Sequence, residues 1–515
     1  MLDTSANVKI LDIKRQIRLI DFAKIMICFG FYKYSPFFCK DSIEKNIYLC
    51  HRKQILQQSY QSPSMATTLI IIQLFIVLAL IFIGARVGGI GLGIYGMVGV
   101  FILVFIFGLK PGNIPLDVML IIVSVITATA SLQAAGGLDY LVGLAAKFLR
   151  KHPDHITYYG PLTTWLFCLV AGTAHTSYSL LPIISEIATK SKIRPERPMT
   201  VATIAASLGI TGSPMSAATA AVISTDLLGG KGIELKDILL VCIPASLIAI
   251  LVSSFVQNRV GKELVDDPEY QRRVKEGLID PNETLESTNT QTPTSNTQHK
   301  YAKRAVWAFL LGVFLVVLFG SIPSLRPSYM VDGEMQRLSM PHTIEILMMS
   351  IAALILIVGK AKVGDAVKGN IFGAGMNAMV SIFGIAWMGD TFFNGNIEFF
   401  KNGIADIVTQ YPFLFAIALF FMSIMLFSQA ATVRTLYPLG IALGISPLAL
   451  VAMFPAVNGY FFIPNYPTEV AAINFDRTGT TRIGKYVINH SFQLSGFITT
   501  FVSIGIGYLI ITFLY

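Results

Sequence analysis

The chain has 515 residues, of which 54% are hydrophobic and only 13% charged, with a mean hydropathy of +0.64; an ordinary soluble domain carries roughly 25% charged residues. Residues 1–64 and 257–304 hold 31 of the 69 charges, leaving 38 for the other 403 residues, too few to clothe a soluble core of that size. The net charge of +9 shows no basic stripe interleaved with aromatics, which excludes a nucleic-acid surface, and Cys28, Cys39, Cys50, Cys168 and Cys242 form no CxxC pair that would hold zinc or a disulfide framework.

In chain order, residues 1–64 carry ten Lys/Arg and five Asp/Glu and contain no apolar run that reads as a span or signal peptide. They read as an N-terminal extension, and Met65 followed by ATTLIIIQLFIVLALIFIGA reads as the natural start. Apolar runs then fall at 66–85, 89–109, 116–136, 156–172, 177–189, 200–225 and 236–256. After a polar linker (257–303) come 304–322, 343–359, 371–393, 411–427, 432–445, 447–463 and 487–514. Several reach the ~20 residues that a spanning helix needs, whereas others are short or broken by Gly and Pro. Residues 395–410 alternate apolar and charged at helical spacing, as an interfacial helix does. The segment 281–300 (PNETLESTNTQTPTSNTQHK) is too poor in apolar residues to order itself. The expected fold class is an all-α polytopic membrane protein.

Basic clusters at 147–151, 190–197, 257–304, 360–368 and 477–485 all fall on the cytoplasmic side if Met65 and Tyr515 both lie outside. The first membrane repeat, 65–256, then enters from outside and ends inside, and the second, 304–515, does the reverse. Two halves of similar length and opposite orientation predict inverted repeats with broken or re-entrant helices.

Four polar interruptions lie inside apolar sequence, two per half: AGTAHTSYSLLP (171–182), ITGSPMSAA (210–218), SQAATVRTLYP (428–438) and FIPNYPTEVAA (462–472). Setting Pro182 against Pro438 pairs Thr176 with Thr432, and setting Pro214 against Pro467 pairs Ala218 with Ala471, at nearly equal offsets. Broken helices at membrane depth leave N–H groups facing a common space, a ready anion site. Thr173, Thr176, Ser213, Ser216, Ser428, Gln429, Thr432, Asn465 and Thr468 supply neutral donors there. The plain alternative is that these side chains only glue helices together. Three ionisable residues share the segments. Arg434 offers the fixed cation, either for a substrate carboxylate or for a structural pair with Glu469. His175 could bind substrate, carry a proton or be structural. Asp390 reads as interfacial, and Asp117, Asp139 and Lys147 as end charges. HExxH, GxSxG and P-loop motifs do not occur, so no enzyme, metal or cofactor is expected, and the glycines of GARVGGIGLGIYG (84–96) read as close packing.

These segments resemble the anaerobic C4-dicarboxylate transporter (Dcu) family. The resemblance runs from about Met65 to the C-terminus through GARVGGIGLG, KPGNIPLDVM, QAAGGLDYL, AGTAHTSYSLLPI, IRPERPM, GITGSPMSAA, GIAWMGDTF, SQAAT and YPTEVAAINFDRTGTTRIGKYVINHSF, in that order. IRPERPM, FDRTGTT and His175 are most similar to the B-type branch, whereas SQAAT followed by a basic residue is similar to the A-type. The resemblance implies a carrier in the cytoplasmic (cell inner) membrane that exchanges external fumarate, malate or aspartate for internal succinate in anaerobic growth. It also implies an ion-transporter-superfamily fold, a homo-oligomer, a lipid bilayer as environment and a membrane sensor kinase as partner. Asn465 stands where the family has Thr, and Glu469 where B-type members have Asp. A passive anion channel would instead show one continuous polar helix face, and a membrane-embedded hydrolase would show an acid/base or metal-ligand pair.

Overall fold

The computed structural model describes residues 63–87, 90–280, 296–331, 333–400, 410–426, 428–464, 466–484 and 489–514. The chain divides into two units, Met1–Leu69 and Ile70–Tyr515. Of the first, only the opening turns of α1 (Pro63–Val87) are described, so most of the expected N-terminal extension lies outside the described residues. Segment 281–295 and residues 401–409 of the expected interfacial helix lie outside them as well; 397–400 are helical.

Among the described residues seven helices are long and apolar enough to cross a bilayer, and a pair bent by 57°, Pro447–Phe462 with Pro467–Phe475, has the form of a broken span or a re-entrant loop. The seven cover Thr67–Gly84, Leu116–Ala134, Leu235–Gln257, Lys300–Ser321, Met340–Gly359, Ile371–Gly395 and Phe492–Leu514. Only 22–56% of each spanning window is buried within the chain, and Phe75, Phe105, Ile357 and Phe513 are exposed. Water would not tolerate so much bare apolar surface; lipid does. The molecule is therefore the all-α polytopic membrane protein that its composition predicts.

The helices follow the apolar runs closely. After α1 come α2 (Gly91–Phe101), α3 (Leu116–Ala134), α4 (Gly137–Lys151), α5 (Ile156–Ala171), α6 (Ser177–Lys190), α7 (Glu196–Thr211), α8 (Ala217–Val222) and α9 (Leu235–Gln257). Then follow α10 (Pro268–Lys275), α11 (Asn296–Ser321), α12 (Met340–Gly359), α13 (Val363–Lys368), α14 (Asn370–Gly395), α15 (Phe413–Leu426), α16 (Gln429–Ala442), α17 (Pro447–Met453), α18 (Pro467–Phe475) and α19 (Phe492–Leu514). The apolar run read at 200–225 is two helices, not one. Gly212 and Pro214 end α7, and Ser216 caps the start of α8 by accepting the Thr219 N–H at 3.0 Å.

The glycines of 84–96 pack as expected. A Cβ on Gly93 would collide with the Val380 carbonyl, and one on Gly96 with the backbone at Gly384, so α2 and α14 touch backbone to backbone. Three elements escape the apolar pattern. Helix α4 is amphipathic, with Ala145, Ala146 and Leu149 buried and Lys147, Arg150 and Lys151 turned outward. A two-stranded hairpin, β1 (Ser328–Val331) and β2 (Glu334–Arg337), pairs Ser328 opposite Arg337 in a stretch of exposed residues.

The third is α10, in the first part of the expected linker, which docks through ion pairs. Arg194 donates to Glu196 at 2.6 Å and to Asp267 at 2.5 Å, and Arg197 pairs with Glu263 at 2.9 Å. Ser491 donates to the other Glu196 oxygen at 2.5 Å, and Arg273 reaches the Arg477 carbonyl at 2.8 Å. In FDRTGTT, Asp476 accepts from Thr478 and Thr480 hydroxyls and from the Thr481 N–H at 2.6 Å. That motif is a turn lock at the same end of the molecule.

Candidate functional site

Each of the four predicted interruptions is a helix break. Helix α5 ends at Gly172, whose φ of +68° suits glycine, and Thr173 caps the 3-10 turn Ala174–Thr176 that leads into α6. A Cβ on Gly172 would press on the Met215 backbone, so this break lies directly against the second, at Gly212–Ser216. The third lies between α15 and α16, where Ser428 caps α16 by accepting the Ala431 N–H at 3.2 Å. The fourth separates the 3-10 segment Phe454–Phe462 from α18, which begins with Pro467 at its first helical position.

Side chains bind the two halves together at this point. The Gln429 amide donates to the Ser207 carbonyl of α7 at 2.9 Å and to Tyr460 Oη at 3.2 Å, and it also bonds Asn458 Oδ1. The Tyr460 and Tyr466 rings stack at a tilt, 4.4 Å between centroids.

A cavity of about 360 Å³ opens where the breaks meet. Thr173, Ala174 and His175 line it from the first break, Met215, Ala217 and Ala218 from the second, Ser428 and Gln429 from the third, and Tyr466 and Pro467 from the fourth. Helices α8, α16 and α18 and the 3-10 turn thus all start at the cavity, so their N-terminal ends meet at one space. Its remaining wall comes from α3 (Ile122, Thr129) and from α14 (Asn377, Ser381). Apart from His175, its described lining holds no Lys, Arg or His. Among the described residues no cluster of His, Cys, Asp and Glu could hold a metal ion.

The structure brings four of the sequence candidates to this cavity: Thr173, His175, Ser428 and Gln429. Thr176 lies behind it, lining a smaller neighbouring cavity of about 170 Å³ that His175 shares. The other candidates make local bonds. Ser213 accepts the Met215 N–H at 3.1 Å, Ser216 caps α8, and Thr432 donates to the Ser428 carbonyl at 2.8 Å. Thr468 donates to the Glu469 carboxylate at 3.0 Å. Glu469 is fully buried at the start of α18, with its other oxygen unpartnered among the described residues. Asn465 lies outside the described residues.

Arg434 pairs with Asp226 rather than with Glu469. It is 3% exposed and forms a two-point ion pair with Asp226, at 2.6 and 2.8 Å, plus a bond to Ser224 at 3.1 Å. The reason is positional. Arg434 lies on α16 one to two turns beyond the cap at Ser428, level with the loop that follows α8 and away from the described cavity lining. Asp390, five residues before the end of α14, is 6% exposed and accepts the Asn113 N–H at 2.5 Å.

Sequence reasoning missed Asn377, Ser381, Asn458, Tyr460 and Tyr466. A signal existed for two of them. Asn377 and Ser381 are polar residues four apart in an apolar run, which places both on one helix face.

The model of a family described as an anaerobic C4-dicarboxylate membrane transporter matches residues 69–515. The chain is 41% identical over 447 residues to the C4-dicarboxylate transporter DcuA of Escherichia coli (strain K12), covering 87% of this chain and 100% of that one. It is 40% identical over 443 residues to the anaerobic C4-dicarboxylate transporter DcuB of Escherichia coli O6:H1, covering 85% and 97%. Among solved structures it is similar to the YdaH transporter of Alcanivorax borkumensis, with a TM-score of 0.47 at 16% identity, over 87% of this chain and 98% of that one. A helical membrane protein with this match along its length is a transporter and not an enzyme: the chain belongs to the anaerobic C4-dicarboxylate membrane transporter family.

Proposed function

We propose that the protein is a secondary carrier that exchanges four-carbon dicarboxylates, external fumarate, malate or aspartate against internal succinate, across the cytoplasmic membrane. The observation that supports this reading most is the convergence of four helix starts on one cavity. The first turn of a helix carries N–H groups with no partner inside the helix, and each cap here takes only one of them, so a carboxylate suits such ends without a buried cation beside it. A substrate with a carboxylate at both ends suits a cavity with N–H ends arriving from both halves of the chain. Thr173 and Ser428 hydroxyls, the Gln429 amide and a neutral or protonated His175 add directed hydrogen bonds.

In this reading the two halves are inverted repeats. Thr173 and Ser428 each cap the turn that follows a break, one residue apart in the alignment that matches Pro182 with Pro438, and the basic clusters face the cytoplasm. The cavity is then served from each membrane face in turn. Counterflow in proteoliposomes tests the carrier directly. Internal succinate is expected to accelerate uptake of labelled fumarate several-fold, and a rate indifferent to internal succinate contradicts exchange.

A further inference from the structure

We propose that Arg434, Asp226 and Asp390 form a switched ion-pair gate between the cavity and one membrane face. In the closed state Arg434 holds Asp226, and in the open state it transfers to Asp390. The proposal rests on the carrier reading above.

Four observations carry it. First, the Arg434–Asp226 pair joins the loop after α8 to α16, and both elements contribute cavity wall a few residues earlier, at Ala217 and Gln429. Opening a path past these elements separates the two charges. Second, the pair straddles a wet–dry boundary: the Arg434 side chain is 3% exposed and that of Asp226 is 38% exposed. Solvent reaches one partner and stops at the other.

Third, a second carboxylate lies on the neighbouring helix. A Cβ on Gly389 of α14 would meet Thr435 of α16, so the two helices touch one residue away from Asp390 and from Arg434. Asp390 is buried and has no ion-pair partner among the described residues; the Asn113 N–H and Asn394 hold it. Fourth, Arg434 Nε is buried with no hydrogen-bond partner, so the closed pair leaves one donor of the guanidinium unused. Asp390 is itself anchored. Loop 110–114 is clamped to α14 by Trp387 Nε1 on the Gly112 carbonyl at 2.9 Å and by the Gly112 N–H on Thr391 at 3.0 Å.

The physics favours a switch over a static bridge. Breaking a buried pair outright strands a charge and is strongly destabilising. Exchanging one carboxylate for another keeps the guanidinium paired in both states, so the states stay close in free energy and interconvert.

The test is access to the cavity. Ala217→Cys is made in the full chain with Cys28, Cys39, Cys50, Cys168 and Cys242 replaced, and a membrane-impermeant cationic methanethiosulfonate is added to one face of vesicles at a time, without substrate. Asp226→Asn is expected to raise labelling from the face bearing Asp226 and loop 110–114 by at least about tenfold, one decade of lost closed-state stability. Asp390→Asn is expected to lower it below the parent rate, because the open state loses its acceptor. Labelling from the other face should fall with Asp226→Asn. If Asp226→Asn fails to give a monodisperse protein, Arg434→Lys, which keeps the charge but loses the two-point fork, serves with the same expectation. Unchanged labelling in a folded gate variant, or a rise with Asp390→Asn, overturns the gate. Succinate counterflow of the parent, run in parallel, fails only if the dicarboxylate reading is wrong.

Discussion

Gln429 and Ser207 lie 222 residues apart, yet the Gln429 amide donates to the Ser207 carbonyl at 2.9 Å, with both groups buried. This bond fixes the start of α16 against the middle of α7, and so sets one half of the chain against the other at the cavity wall. A hydrogen bond of this kind contributes about 0.5–1.5 kcal/mol, and stranding its buried partners costs about 1–3 kcal/mol. Gln429→Leu leaves the Ser207 carbonyl and Asn458 without their donor. The expected outcome is an apparent KM for succinate raised at least about tenfold, roughly 1.4 kcal/mol. Transport kinetics in proteoliposomes, normalised to folded protein, check it, and an unchanged KM removes Gln429 from the site.

Arg434 is expected to act on turnover and stability rather than on substrate affinity. Its guanidinium is committed to Asp226 and Ser224, and charge-assisted bonds of this kind contribute about 1.5–3 kcal/mol. Arg434→Gln should therefore lower thermal stability and kcat while KM for succinate stays within about twofold, since no ground-state contact to substrate is lost. A tenfold rise in KM with unchanged melting would return Arg434 to the substrate.

The contact of α2 with α14 predicts intolerance of side chains at one position. Gly384 faces Gly93 so closely that a Cβ would strike the Gly93 carbonyl. Overpacking costs typically 1–3 kcal/mol where neighbours can shift, and here the neighbour is backbone. Gly384→Leu is expected to reduce folded yield and melting temperature sharply. Gly373→Leu, on the same helix with open space around it, should be tolerated.

Outside the membrane, the α10 dock predicts an acid-sensitive contact. Burial tends to raise the Asp267 carboxyl, but the Tyr270 and Glu269 N–H groups and the Arg194 guanidinium outweigh it and hold the carboxyl below its usual value. Within α10 itself, hydrogen bonds from Arg272 and Arg273 bring the half-buried Glu269 down to about 2. A carboxyl whose pKa is depressed by docking stabilises the docked state above the undocked value, about 4, and loses that contribution as pH falls through the docked value. Hydrogen-exchange protection across 262–276, taken relative to the intrinsic amide rate at each pH, should thus be high from pH 5 to 7 and fall below about pH 4. Asp267→Asn should bring that fall to neutral pH. Fast exchange in the parent at pH 7 contradicts the dock.

Much of the architecture was legible because lipid imposes a simple rule: long apolar runs become helices, and Gly or Pro with Ser or Thr marks where they break. All four breaks were read from the sequence, whereas Thr173 and Ser428 were read there as donors to substrate and prove to cap the turns that follow. Helices α4 and α10 were not, because their charged faces hide them from a hydropathy window, and α10 is held by ion pairs between residues as distant as Arg194 and Asp267. Within the site, residue type identified donors but not direction. Ser216 and Ser428 both cap the helices they begin, yet Ser428 lines the main cavity and Ser216 and Thr432 do not. Arg434 looked like the substrate's cation because its partner, Asp226, lies 208 residues away in a stretch that reads as an ordinary loop.

The central claim is that one cavity, bounded by caps from both halves, holds the dicarboxylate. Single cysteines at Thr173 and Ser428, in a background free of the native cysteines, test it most directly through thiol labelling with and without saturating succinate. The account predicts that succinate slows labelling at both positions to a comparable degree, because both line the cavity. Cysteines at Thr176 and Thr432, which bond their own preceding turns outside the main cavity, should label slowly with or without succinate. Labelling at Thr173 and Ser428 that proceeds equally fast under saturating succinate, in protein that still performs counterflow, would place the substrate elsewhere and contradict the account.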